Sequence, residues 1–382
     1  MLLVDRGQPD AARAHLQTAL SLDPGNVQAH QSLAVLLLRS GDREGARRHG
    51  AIGFGNRAEE WPYRGTQTPV RLLVLFSALG GNVGIERFLD DRIFAKSTIV
   101  TEFFDHAAPL PPHDVVFNGI GDADRCRWAL EAAELIVAQT RAPLINRPDR
   151  VLATSRAVNG ERFAALPDVV VPQAEQFARD VLAGNGAVEA LLERGFRWPL
   201  LLRAPGFHTG QHFVKLDGPA ELPAALEALP GDELLVLEYV DTRGADGKVR
   251  KYRVLCIDGA LYPLHLAVSQ HWMVHYYTAD MAQSPEHRAE DEAFLADMEG
   301  TLGPRAFAAL RAVSGVLGLD YGGIDFSLDA AGRIVLFEAN ANMVIVEPDA
   351  GEDWAYRRAP VERARRAARA LVIERAKSAG YA

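Results

Sequence analysis

The chain of 382 residues has little cysteine: two residues, Cys126 and Cys256, far apart and in no CxxC pairing. That scarcity excludes a disulfide framework and a cysteine-rich zinc site, and fits a reducing compartment. It also lacks any apolar run near the roughly 20 residues a membrane span needs. Its start, MLLVDRGQPD, is too poor in apolar residues for a secretory signal; a cytoplasmic location with no membrane contact is the expectation. A surplus of positive charge is absent too. The formal net charge is −9, which argues against a general nucleic-acid binder, since phosphate contact needs a basic surface. No GxGxxG, P-loop lysine, HExxH, GxSxG or papain-like cysteine context occurs. What is present is ample core material, 48% hydrophobic, enough for two or three domains.

The first fifty residues repeat. Leu2, Leu3, Gly7, Ala12 and Arg13 recur as Leu36, Leu37, Gly41, Ala46 and Arg47, 34 positions on. A 34-residue period of paired helices is the signature of tetratricopeptide repeats. Residues 1–54 hold about one and a half such units, and repeats need neighbours to bury their faces. They could pack on the next domain, meet a second copy in a homodimer, or receive a protein or peptide partner.

After a polar linker, GNRAEEWPYRGTQTP, comes an apolar strand, VRLLVLFSAL, then GGNVGIERFLDD, read as a glycine turn into a helix. The strand HDVVFNGIG, the helix DRCRWALEAAELIVAQT and the strand APLIN complete an alternation that predicts a small doubly wound α/β domain over 69–148. Trp128, Leu130, Leu135 and Val137 are the helix's candidate core residues. Farther on, WPLLLRAPGFHTGQHFVKL reads as two strands around a glycine loop, and ELPAALEAL as a helix. ELLVLEYVDTRGADGKVRKYRVLCIDGALYPLHLAV reads as three strands. The closing PVERARRAARALVIERA is an amphipathic helix, within 357–382, whose arginines are read as a solvated face.

The stretch YGGIDFSLDAAGRIVLFEANANMV carries the clearest chemistry. Read as a hairpin turning at Ala331 and Gly332, it places Asp325 opposite Glu338 and Asn340 opposite Gly323, on one face. Directly opposed like charges destabilise a sheet. Two carboxylates, an amide oxygen and the bare position at Gly323 form an oxygen-rich site suited to Mg²⁺. The alternatives are acids on a wet sheet face, or one carboxyl held protonated.

The spacing of Asp325, Glu338 and Asn340, set in IDF and FEANANM, resembles the metal-binding end of ATP-grasp enzymes, and the upstream order agrees over about 69–350. That resemblance implies an α+β ATP-grasp domain at 149–356, two subdomains clasping ATP, after the pre-grasp domain. VLEYV resembles the hinge that grips adenine, which implies base contacts from the backbone of Tyr239 and Val240 and ribose contacts from Glu238 or Asp241. KYRVLCIDG resembles the strand bringing a catalytic arginine, here Arg253, to phosphate or substrate carboxylate. LLLRAPGFHTGQ resembles the loop that covers the phosphates, which implies phosphate contacts from Arg203, His208 and Gly210 and a catalytic role for Arg203 beside Arg253, offsetting charge on the transferring group. The chain departs from the family in having Arg203 where a lysine is usual, and Arg156 as the nearest candidate for a second.

The family reaction implied is ATP- and Mg²⁺-dependent joining of a carboxylate to an amine through an acyl phosphate. A degenerate, partner-binding relative and a phosphotransferase on the same scaffold are the alternatives. His265, His271 and His275 follow the arginine strand, either near substrate or as packed and surface histidines.

Overall fold

The computed structural model describes residues 8–55, 58–205, 210–274 and 279–378. Three helices come first: α1 (Pro9–Leu22), α2 (Val27–Arg39) and α3 (Arg43–Gly53). Asn26 caps α2 by accepting from Ala29 N at 2.9 Å, and Asp42 caps α3 by accepting from Gly45 N at 2.8 Å. Each cap satisfies a helix-end donor that would otherwise lack a partner. Small residues let the helices approach: Ala34 and Ala46 are fully buried.

Their apolar face does not wait for another molecule. It packs on the chain that follows through Phe54, whose ring stacks on Phe103 at 4.9 Å, and Phe103 meets Trp128 edge-on. Arg43 and Arg47 lie over the Trp128 ring at 5.4 and 5.0 Å. A Cβ on Gly50 would stand 2.2 Å from Phe103, so glycine is what permits this approach.

The first sheet contains β1 (Glu59–Glu60), β2 (Val70–Phe76), β3 (Phe94–Val100), β4 (Val115–Asn118) and β5 (Leu144–Ile145), in the order β1-β3-β2-β4-β5. It is parallel except at β1. The helix expected after β2 is only a 3₁₀ turn at Ile85–Arg87, and β3 is a strand the sequence reading passed over. Lys96 interrupts its apolar run, yet is 8% exposed, donating to Leu89 O and lying over the Trp61 ring. On α4 (Arg127–Val137), Ala129, Leu130, Ala133 and Ile136 are the buried face. Leu135, an expected core residue, is 55% exposed.

Next come α5 (Pro148–Leu152), α6 (Arg156–Ala164) and β6 (Val169–Val170). A four-stranded antiparallel sheet follows, ordered β7-β10-β8-β9: β7 (Ala174–Ala178), β8 (Leu200–Arg203), β9 (Phe213–Leu216) and β10 (Glu233–Glu238). Helices α7 (Arg179–Ala183), α8 (Ala187–Glu193) and α9 (Leu222–Ala228) cover one face, over Leu200, Leu202, Leu234 and Val236.

The last sheet is ordered β12-β11-β13-β14-β6, with β11 (Val249–Ile257), β12 (Ala260–Ser269), β13 (Tyr321–Leu328) and β14 (Ile334–Asn340). Helices α10 (Pro285–Ala296) and α11 (Met298–Leu317) contribute Phe294, Leu310 and Val313 to a core with Tyr252, Val254 and Phe326. The closing helix α12 (Arg358–Ser378) fills the space between the first and last sheets. Its Val361, Ala364, Leu371 and Val372 join Leu72, Val74, Phe117, Leu255 and Ile257 in one core.

The arginines of α12 are only partly a solvated face. Arg375 bonds Asp258 and Asp320 at 2.8 and 3.0 Å, and Arg369 donates to Phe88 O. Among the described residues no helix is long and apolar enough to cross a membrane.

Candidate active site

Strand alternation puts Lys251 and Arg253 on one face of β11 and Tyr252 on the other. β13 pairs with β11 so that Asp325 lies opposite Arg253, and with β14 so that Asp325 lies opposite Glu338 and Gly323 opposite Asn340. The expected pairing is present, but the turn alone does not set it. Nearer the turn, Phe326 pairs with Leu336, and the bulged residue Phe337 restores the register at Glu338. A second bulge, at Leu264, follows the Arg253–His265 pair. Such bulges re-aim side chains beside functional sites; here they flank Asp325 and Arg253 from both neighbouring strands.

Asp325 is fully buried. Its carboxylate accepts from Arg253 Nε and Nη2, both at 2.7 Å, and pairs with Lys251 Nζ at 2.7 Å. Burial alone would raise its pKa, but Lys251 and Arg253 outweigh burial and hold it far below the usual carboxylate range. This corrects the expectation that the opposed acids await only a metal: the buried one already has two cationic partners. Glu338 is exposed, and its Oε1 accepts from Asn340 Nδ2 at 2.7 Å, while Asn340 Oδ1 accepts from Asn342 N at 2.9 Å. The bare space expected over Gly323 is filled; a Cβ there would lie 2.4 Å from Met343 Cγ.

The donor chemistry nonetheless fits a hard cation. Glu338, Asn340 and Asp325 present only oxygen to such an ion, two of them as carboxylates, once the side chains turn from their present partners. Among the described residues no group of three or more histidine, cysteine or acidic side chains could hold a metal.

The four-stranded sheet supplies the second half. On its face away from the helices lie Leu201, Arg203, Phe213, Lys215, Leu235 and Leu237, all half-buried. They are neighbours by register: Arg203 pairs with Phe213 and Leu235, and Leu201 with Lys215 and Leu237. Arg203 lies 5.8 Å from the Phe213 ring centre, and Lys215 lies 4.8 Å from that of Tyr239 and pairs with Asp217. An apolar floor edged by two cations can receive a flat ring bearing an anionic tail. Lys215 escaped the sequence reading, although it stands two residues after Phe213 in HFVKL. Lys251 escaped it too, although it stands two before Arg253 on the same strand.

The segment after β12 joins the two sheets. Trp272 meets Phe213 edge-on at 5.3 Å and Tyr239 at 6.5 Å, and Met273 Sδ would lie 2.9 Å from a Cβ on Gly210. Gly210 has φ +76°, a conformation that favours glycine.

The remaining expected residues are distributed unevenly. Glu238 closes β10, with Oε2 accepting from Gln173 N at 3.2 Å. Tyr239 and Val240 follow it, half-buried. Asp241 is held by Arg243, the main reason its pKa is lowered. His208 and His275 lie outside the described residues. His265 is buried opposite Arg253, its pKa pushed well down by burial and then by Arg253, which makes it a packed histidine. His271 borders a separate cavity of ≈ 350 Å³ with Lys248, Asp280 and His287.

Residues 3–49 match the family model of the tetratricopeptide repeat. No curated protein matches the chain in sequence. Among solved structures it is similar to D-alanyl-alanine synthetase A from Vibrio cholerae, with 13% identity over 82% of this chain and 100% of that one, and a TM-score of 0.48. The D-alanine-D-alanine ligase from Coxiella burnetii gives 13% over 81% and 96%, at 0.47. A RimK domain ATP-grasp protein from Sphaerobacter thermophilus gives 16% over 79% and 99%, at 0.45. The chain is a mixed α/β protein with a tetratricopeptide-repeat segment at its N-terminus; likenesses this distant assign no reaction.

Proposed function

We propose that the chain is an ATP-grasp ligase that uses ATP and Mg²⁺ to join a carboxylate to an amine through an acyl phosphate. The observation that carries this reading is the bulge-corrected pairing of Asp325 with Glu338 and Asn340, on the sheet that also presents Arg253. It recommends the division into 1–54, 69–148, 149–356 and 357–382, with ATP between the sheets of the third unit.

In this reading the base lies on Leu201, Leu235 and Leu237, and the hinge backbone at Tyr239 and Val240 takes its edge. Glu238 is better placed than Asp241 for the ribose, because Arg243 already holds Asp241. Arg203 and Lys215 draw the phosphates, so Lys215 stands in for a lysine the family usually places at Arg203. Asp325, Glu338 and Asn340 would hold Mg²⁺, which supplies charge neutralisation between the terminal phosphates.

Phosphoryl transfer needs positioning and electrostatic support more than covalent help. The substrate carboxylate oxygen attacks the γ-phosphorus, the bond to the β,γ-bridging oxygen breaks, and ADP leaves. An amine then attacks the acyl carbon and expels phosphate. Arg253 orients the carboxylate, while the segment carrying Gly210 and Trp272 excludes water.

The test is ADP release by the full chain over paired carboxylic acids, amino acids, amines and peptides, with mass spectrometry of the product. ADP formed only when both co-substrates are present, with a new amide, supports the reading, and Glu338→Gln abolishes it while circular dichroism is unchanged. ADP with a single substrate and a stable phosphorylated product identifies a phosphotransferase instead. Nucleotide binding without turnover leaves a partner-binding protein.

A further inference from the structure

Lysine is scarce in this chain: Lys96, Lys215, Lys248, Lys251 and Lys377 are all it has. One of them is spent on a buried carboxylate that already has an arginine. Arg253 alone satisfies Asp325 in a bidentate manner, through Nε to Oδ1 and Nη2 to Oδ2. Lys251 adds a third charge-assisted contact at Oδ2, at 2.7 Å. Before the exposed Glu338 is counted, this cluster carries two positive charges and one negative.

The two cations are not equivalent. The arginine fork matches the carboxylate plane, whereas an ammonium on a four-carbon stem is a point charge that swings. The Lys251 side chain keeps 19% of its surface exposed, so it has a way out toward solvent. Asp325 faces Glu338 across the strand pair, so a divalent ion shared by those carboxylates would compete with the ammonium for Asp325. Departure of Lys251 relieves the repulsion and leaves a lysine beside Arg253 on the face where anions arrive.

We propose that Lys251 is a resident counter-ion that occupies Asp325 until a divalent cation displaces it, and then binds the phosphate or carboxylate group arriving with that cation. This rests on the ligase reading for the identity of the anion, but the competition itself needs no nucleotide.

The experiment titrates MnCl₂ alone onto the full chain, with free Mn²⁺ followed by electron paramagnetic resonance. Lys251→Met is expected to bind Mn²⁺ about tenfold more tightly than wild type, and MgATP about tenfold more weakly. An Mn²⁺ affinity unchanged or weakened by the substitution overturns the proposal, as does unchanged MgATP affinity. If Lys251→Met does not fold, the wild type is treated with an amine-acetylating reagent and mapped by mass spectrometry. MnCl₂ should then increase acetylation of Lys251 and leave Lys377 unaltered; equal labelling of Lys251 with and without Mn²⁺ overturns the proposal. Wild type that takes up Mn²⁺ but not MgATP would sink the ligase reading while the Mn²⁺ comparison still decides the competition.

Discussion

On the four-stranded sheet, Arg203 and Lys215 lie over the rings of Phe213 and Tyr239, on a half-buried face. On the last sheet, Arg253 and Lys251 close instead on Asp325, which is fully buried. The first arrangement shields cations with polarizable, apolar surface and needs no buried counter-charge, so its loss should weaken ligand binding more than folding. The second puts three ionised groups under one another's control. There the fold depends on the shared carboxylate, and removing it leaves two cations without their buried counter-charge.

The largest effect expected from this contrast is at Asp325. Asp325→Asn leaves Lys251 and Arg253 without their carboxylate and should destabilise the chain by about 3–5 kcal/mol, read by chemical denaturation. The sign with pH follows from its lowered folded pKa. Asp325's contribution is fully present above the unfolded value of about 3.9 and is lost as pH falls toward the folded value. Wild-type stability should therefore decline on acidification below about pH 4, with a shallower decline in Asp325→Asn.

Gly323→Ala comes next. Its new methyl meets Met343 Cγ at 2.4 Å and Val254 O at 3.1 Å, and overpacking of this kind costs about 1–3 kcal/mol. Pairing it with Met343→Ala should return less than the full loss, because the backbone oxygen stays. Full additivity of the two changes in denaturation would break the argument.

Arg203→Met and Lys215→Met should sharpen the comparison from the other side. Each is expected to weaken nucleotide binding about tenfold by calorimetry, with the thermal midpoint little changed. A large fall in stability with unaltered affinity would show that the two sheets hold charge alike. The smallest effect belongs to Leu135→Lys, on the exposed face of α4, expected within about 0.5 kcal/mol of wild type.

Much of the framework was legible because it follows short-range rules. Period-2 alternation assigned Asp325, Glu338 and Asn340 to one face, and a 34-residue spacing marked the repeat helices. β3 was not legible, because Lys96 breaks its apolar pattern and is accommodated through tertiary contacts with Leu89 O and the Trp61 ring. On α4 the buried stripe is built from alanines with Leu130 and Ile136, so reading large residues alone misplaced Leu135. The site was half legible. Lys251 and Lys215 were open to the same alternation argument as their neighbours, and each stands two residues from a side chain already singled out.

By itself, the order of residues determined which side chains can share a strand face and where the paired repeat helices recur, since both follow from short-range periodicity. Tertiary structure alone decided that Phe337 bulges to keep Asp325 opposite Glu338, that Met343 covers Gly323, and that the repeat helices bury their face on Phe103 and Trp128. It also decided that two cations neutralise the buried acid. Those outcomes depend on which distant surfaces exclude water together, and the strength of a charge depends on that exclusion.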